Sequence, residues 1–168
     1  MQNITLKLIG DSSMLLHSDK GANPIHPATR DHKVLTSKRK KTDEDHLAIA
    51  KSEYFLCFYG GNTVVIPTTN IKSAIVEGAK LNKLGSAFNR CLLILQDSVS
   101  VDHSGPKDIS KLWDKPECVD CRSVKVGTAR LMRYRPRIND WSLTVDIVFD
   151  ELMIERAAIL AAAENAGK

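Results

Sequence analysis

Aromatic residues are few, at 5% of the chain, which argues against a surface that stacks many bases on exposed rings. No apolar run approaches the roughly 18 residues of a membrane-spanning helix. The opening MQNITLKLIG alternates apolar and polar residues where a secretory leader would run apolar. The expected location is therefore the cytoplasm, with no membrane partner. Cysteine is limited to four residues. Cys57 and Cys91 lie in apolar runs and read as reduced core residues, and Cys118 and Cys121 form a lone CxxC. A structural zinc site usually takes four ligands, and here His103 is the nearest extra candidate with no second pair. Neither a metal nor another cofactor is expected. Also missing are a Walker loop, an HExxH, a nucleophile elbow and a paired-carboxylate signature. His17, His26, His32, His46 and His103 stand at no telling spacing. No catalytic residue is assigned, and the chain is not expected to be an enzyme.

What is present is charge, unevenly placed. The net charge is +4. Residues 20–41 hold Lys20, Arg30, Lys33, Lys38, Arg39, Lys40 and Lys41 against one acid, Asp31. Residues 122–137 hold Arg122, Lys125, Arg130, Arg133, Arg135 and Arg137 and no acid, whereas the tail from 140 onward is acidic. Such asymmetry favours a polyanionic partner, because neutralising phosphates releases their counterions. Within ARLMRYRPRINDW, Arg133, Arg135 and Arg137 recur at every second position. Strand side chains alternate between faces, so the three share one face.

The 168 residues read as one domain whose 43% hydrophobic content suffices for a core. Residues 3–9 alternate as a half-buried strand. Residues 18–41 show no period and read as a long basic loop. Thr42 before Asp43, Glu44 and Asp45 predicts a helix start, running to about 53. Tyr54 to Tyr59 reads as a strand turning at Gly60-Gly61-Asn62 into a second strand, Thr63 to Ile66. IPTTNIKSAIVEGAKLNKLG (66–85) predicts a second helix with Ile71, Ala74, Ile75, Gly78 and Ala79 on one face. Gly78, unfavourable inside a helix, implies close packing, expected against the sheet. Arg90–Gln96 reads as a buried strand and 97–121 as a loop-rich insertion anchored by Trp113. Ser123–Val126 suggests a short strand. Thr128–Arg137 and Trp141–Phe149 suggest a hairpin, and 152–165 a last helix. The expected class is α+β, an antiparallel ferredoxin-like (RRM-like) sheet with helices on one face.

Three stretches together resemble the RAMP superfamily, the ferredoxin-like proteins that build CRISPR ribonucleoprotein complexes. NITLKLIGDSSMLLHS (3–18) resembles the opening strand. VIPTTNIKSAIVEGAK (64–79) resembles the strand, proline, small hydroxyl residues and helix that follow. VGTARLMRYRPRINDWSLTVDIVFD (126–150) resembles the late arginine-bearing strand pair. The resemblance implies an RNA-binding subunit that lays a guide RNA along a basic face, with other subunits and copies of itself as partners. Arg133, Arg135 and Arg137 would make forked hydrogen bonds to phosphates. Lys38, Arg39, Lys40 and Lys41, with Arg30 in the same loop, would close over the strand, and Lys72 and Lys80 would flank the groove. On this expectation, replacing the three ladder arginines by Ala removes RNA without loss of folding. The alternative is a phage-encoded anti-CRISPR protein that imitates such a subunit and blocks effector assembly.

Overall fold

A computed structural model describes residues 1–167. The chain begins with β1 (Gln2–Ile9), β2 (Met14–Leu15), α1 (Pro27–Thr36), α2 (Asp43–Leu56), β3 (Val65–Pro67), α3 (Thr68–Lys80), α4 (Gly85–Cys91) and β4 (Leu92–Ile94). It continues with β5 (Ser98–Ser100), β6 (Val119–Val126), β7 (Ala129–Ile138), β8 (Ser142–Phe149) and α5 (Arg156–Ala166). Helices and small antiparallel sheets mix, so the α+β class holds. The elements gather into two compact units, each assembled from segments distant in sequence.

One unit comprises Met1–Ile9, Val65–Val101 and the described residues from Ser142 onward. Its main sheet has the order β1–β8–β4, with β8 antiparallel to both neighbours. Ile4 opposes Ile147 and Leu6 opposes Val145, and all four are buried. Period-2 alternation puts these residues on one face, while Thr5, Lys7, Thr144 and Asp146 stay exposed on the other. Pro67 ends β3, and the buried Thr68 donates its hydroxyl to the Gln96 carbonyl. On α3, Ile71, Ile75, Gly78 and Ala79 are buried, and the helix packs along α5. A Cβ at Gly78 would overlap the Ala162 carbonyl oxygen and lie 2.7 Å from the Ala166 nitrogen. The close approach expected there is made by a helix, where the sequence had suggested the sheet.

The other unit comprises Gly10–Val64 and Asp102–Trp141. β6 and β7 form a two-stranded ribbon that turns at Gly127, whose φ of 61° suits glycine. β2 adds to the base of β7, pairing Met14 with Ile138 and Leu15 with Arg137. α2 starts at Thr42 with a full capping box, in which Asp45 returns the bond. It packs against β7, and its Tyr54 is fully buried, 5.1 Å from the Trp113 ring. Trp113 in turn lies 6.0 Å from Tyr134, so the indole anchors its segment as expected.

Several expectations are corrected. The long basic loop at 18–41 contains α1, which Pro27 opens at its first turn. Thr29 is its one buried residue, and α1 is tied down by polar contacts, Thr29 hydroxyl to the Lys20 carbonyl and His32 to Ser52. Its inward face carries only the half-buried Ala28 and Leu35 as apolar residues, too few to read as a hydrophobic period. Residues 54–56 continue α2 instead of forming a strand, because Tyr54 and Leu56 bury from a helix. Gly85–Cys91 is helical, so the strand expected at Arg90 begins only at Leu92. The 97–121 insertion contains β5, paired with β3, and ends in β6 from Val119. β7 and β8 belong to different sheets and make no hairpin.

Candidate nucleic-acid interface

The ribbon's register decides where its cations point. Asp120 opposes Arg135, Arg122 opposes Arg133, and Lys125 opposes Arg130. Directly opposed residues share a face, so Arg122, Arg133, Arg135 and Arg137 lie together with Asp120. Lys125 and Arg130 lie on the opposite face. From Cys121 to Met132 every residue is exposed except the half-buried Val124. That half of the ribbon contributes nothing to a core.

The ladder is partly occupied by the protein's own carboxylates. Arg133 donates to Glu53 on α2 at 2.5 Å. Arg137 donates to Asp120 at 2.8 Å, and Arg122 Nε donates to the same Oδ1 at 2.8 Å. Arg135 makes no ion pair among the described residues. Burial pushes the Asp120 carboxyl up, but the hydrogen bonds from Arg137 and Arg122 prevail and hold it below the usual carboxylate range. Four guanidiniums thus face two carboxylates, and two positive charges remain uncompensated.

The other expected residues divide in the same way. Lys38 pairs with Asp45 at 2.5 Å, and Lys41 donates to the Lys38 carbonyl. Arg30, Arg39 and Lys40 are exposed and make no ion pair among the described residues. Lys72 and Lys80 belong to the β1-containing unit, where they line an open groove of about 560 Å³ between α3 and α4 with Thr69, Ser73 and Ser86. There Lys72 donates to the Asn89 carbonyl and Lys80 pairs with Glu77. The exposed sheet face of that unit offers Asn3, Thr5, Lys7, Leu93, Thr144 and Asp146 and no aromatic ring. It cannot stack bases in the manner of an RRM sheet.

Sequence reasoning missed Arg122, Lys125 and Arg130 as site residues, and it missed Asp120 as the partner of Arg122 and Arg137 and Glu53 as the partner of Arg133. The signal for the first three was the unbroken basic run, and the ribbon register turns that run into opposed pairs. Cys57 lies 3.7 Å from His17 Nδ1, yet burial pushes its thiol up to about 11, so it is no thiolate at neutral pH. Among the described residues no group of three or more His, Cys, Asp or Glu could hold a metal ion. No described helix is long and apolar enough to cross a membrane. Comparison with protein-family models, curated proteins and solved structures finds no match.

Proposed function

We propose that the chain is an RNA-binding protein that grips a sugar-phosphate backbone with the β6–β7 ribbon, working as a subunit of a CRISPR-type ribonucleoprotein assembly. One observation carries the RNA part. The ribbon sets cations directly opposite each other on both faces, Arg122 with Arg133 and Lys125 with Arg130. Arg122 and Arg133 each reach one carboxylate, whereas Arg135, Lys125 and Arg130 make no ion pair among the described residues, so the ribbon keeps an unmatched positive surface. A phosphate chain supplies the missing negative charge. Arg30, Arg39 and Lys40 add exposed cations in the same unit. With few aromatics available, recognition is by phosphate and shape.

The assembly role rests on the resemblance of the three stretches. The sheet order supports the ferredoxin-like part of it. β1 and β4 are both antiparallel to β8, which lies between them, and α3 follows β1 and precedes β4 in the chain. That order matches one split βαβ half of a ferredoxin-like sheet and supports the reading with three strands where the full fold has four.

The test is RNA retention. The purified protein should carry nucleic acid, seen in its ratio of absorbance at 260 to 280 nm. It should retard a single-stranded RNA with an affinity that falls steeply in salt, the slope approaching −0.7 per phosphate contact. Lys125→Glu with Arg130→Glu, both at exposed positions, should lower affinity by about tenfold or more at an unchanged melting temperature. A nucleic-acid-free preparation that binds no RNA at low salt refutes the proposal.

A further inference from the structure

Asp120 has an unusual place for an acid, 2% exposed on a strand whose neighbours are arginines. One of its oxygens, Oδ1, accepts from both Arg122 and Arg137, at 2.8 Å each. Each arginine uses a single N–H for this bond, Nε of Arg122 and one Nη of Arg137. A guanidinium carries five donors in a rigid fork, so most of each fork remains available. The side chains of Arg122 and Arg137 are 66% and 34% exposed. Arg135 stands directly across from Asp120 on the adjoining strand.

We propose that Asp120 is a positioning residue for RNA, holding Arg122 and Arg137 side by side so that their remaining donors, with Arg135, form a ready-made clamp for one backbone phosphodiester. This rests on the RNA-binding reading above and deepens it. Two long cationic side chains repel each other and lose rotamer freedom when a ligand orders them. Converging on one buried oxygen, they meet that cost on folding, before RNA arrives. The carboxylate is small and buried, so it leaves the outer donors accessible.

The charge balance makes the idea testable by sign. Asp120→Asn removes a negative charge, so attraction governed by net charge alone would strengthen RNA binding. An acid that merely occupied the arginines in place of phosphate would give the same gain. Loss of a positioning residue weakens binding. The experiment titrates a labelled uridine oligonucleotide with wild type, Asp120→Asn and Arg122→Lys at several salt concentrations, with thermal melts alongside. Expected are about tenfold weaker binding and a shallower salt slope for folded Asp120→Asn. Arg122→Lys keeps the charge and loses the fork. It should weaken binding in a protein that still melts cooperatively, and it stands as the deciding variant if Asp120→Asn does not fold. Equal or tighter binding by folded Asp120→Asn, or unchanged binding by Arg122→Lys, overturns the positioning role while RNA binding survives. Absence of binding by wild type overturns both.

Discussion

Gly78→Ala should destabilise the unit that holds α3 and α5, against the ordinary expectation for a helix. Alanine in a helix interior is favoured over glycine by about 1 kcal/mol. At this position the added methyl would overlap the Ala162 carbonyl oxygen and approach the Ala166 nitrogen to 2.7 Å. Non-bonded heavy atoms settle at about 3.5–4.0 Å, so α5 must retreat by roughly 1 Å. The obstructing atoms are backbone, so no side chain can rotate aside. Overpacking of this kind costs about 1–3 kcal/mol, and a case against backbone belongs at the upper end. Subtracting the propensity gain leaves a net loss of about 1–2 kcal/mol, a fall of about 2–8 °C in melting temperature. Thermal melts and urea titrations followed by far-UV circular dichroism read it directly. Ser73→Ala, exposed on the same helix, is the control in which propensity acts alone, and it should raise stability by a few tenths of a kcal/mol. A Gly78→Ala protein as stable as wild type, or more so, refutes the close helix–helix approach.

The arginines should separate by partner. Arg137→Ala leaves the buried Asp120 with one cation and should cost about 1.5–3 kcal/mol in urea denaturation, whereas Arg135→Ala, which removes no ion pair, should stay within about 0.5 kcal/mol. Equal effects would show that the Asp120 pair is not structural, and a stable triple alanine variant would restore the expectation drawn from sequence. Acid should act through Asp120 as well. Its folded carboxyl titrates below its unfolded value, so its stabilisation is present above the ordinary carboxylate range, near 4, and is lost as pH falls through the depressed folded value. Asp120→Asn should therefore flatten the acid limb of the stability profile, and an unaltered limb would count against the pairing.

Much of the scaffold was legible because its residues bury in register with their secondary structure. The alternation in 142–149 marks β8, with Leu143, Val145, Ile147 and Phe149 all buried. Thr42 with Asp45 marks the start of α2, where both halves of the capping box form. α1 was illegible because its inward face mixes Thr29 and His32 with only two half-buried apolar residues, Ala28 and Leu35. Tyr54 and Phe55 have strand propensity, yet the helix places Tyr54 in a ring cluster with Phe58 and Trp113, and packing overrides propensity. β7 and β8 are adjacent in sequence with a turn between, which resembles a hairpin. Asp140 there adopts a φ of 47°, and the strands enter separate sheets. The site was half legible. Alternation put three arginines on one face, and the register keeps them there. Their partners were hidden, since Glu53 lies 80 residues from Arg133 and Asp120 lies 17 from Arg137.

Partial neutralisation of the ladder resolves two demands that conflict in a bare cationic strand pair. Four arginines on one face with no acid would hold the ribbon apart before any ligand arrived. Four arginines matched by four carboxylates would fold well and attract nothing. Glu53 and Asp120 meet the first demand at the base of the ribbon, where α2 packs against β7 and the carboxylates are 16% and 3% exposed. Lys125 and Arg130 oppose each other beyond that base with no acid in register. Both are exposed, and screening in solvent keeps their repulsion small. Positive charge is thus compensated where the ribbon must fold and left uncompensated where it can be reached. Burial alone imposes this grading, since a desolvated charge needs a partner and an exposed one does not, and the RNA-binding proposal adds only that the unmatched end is where phosphate enters.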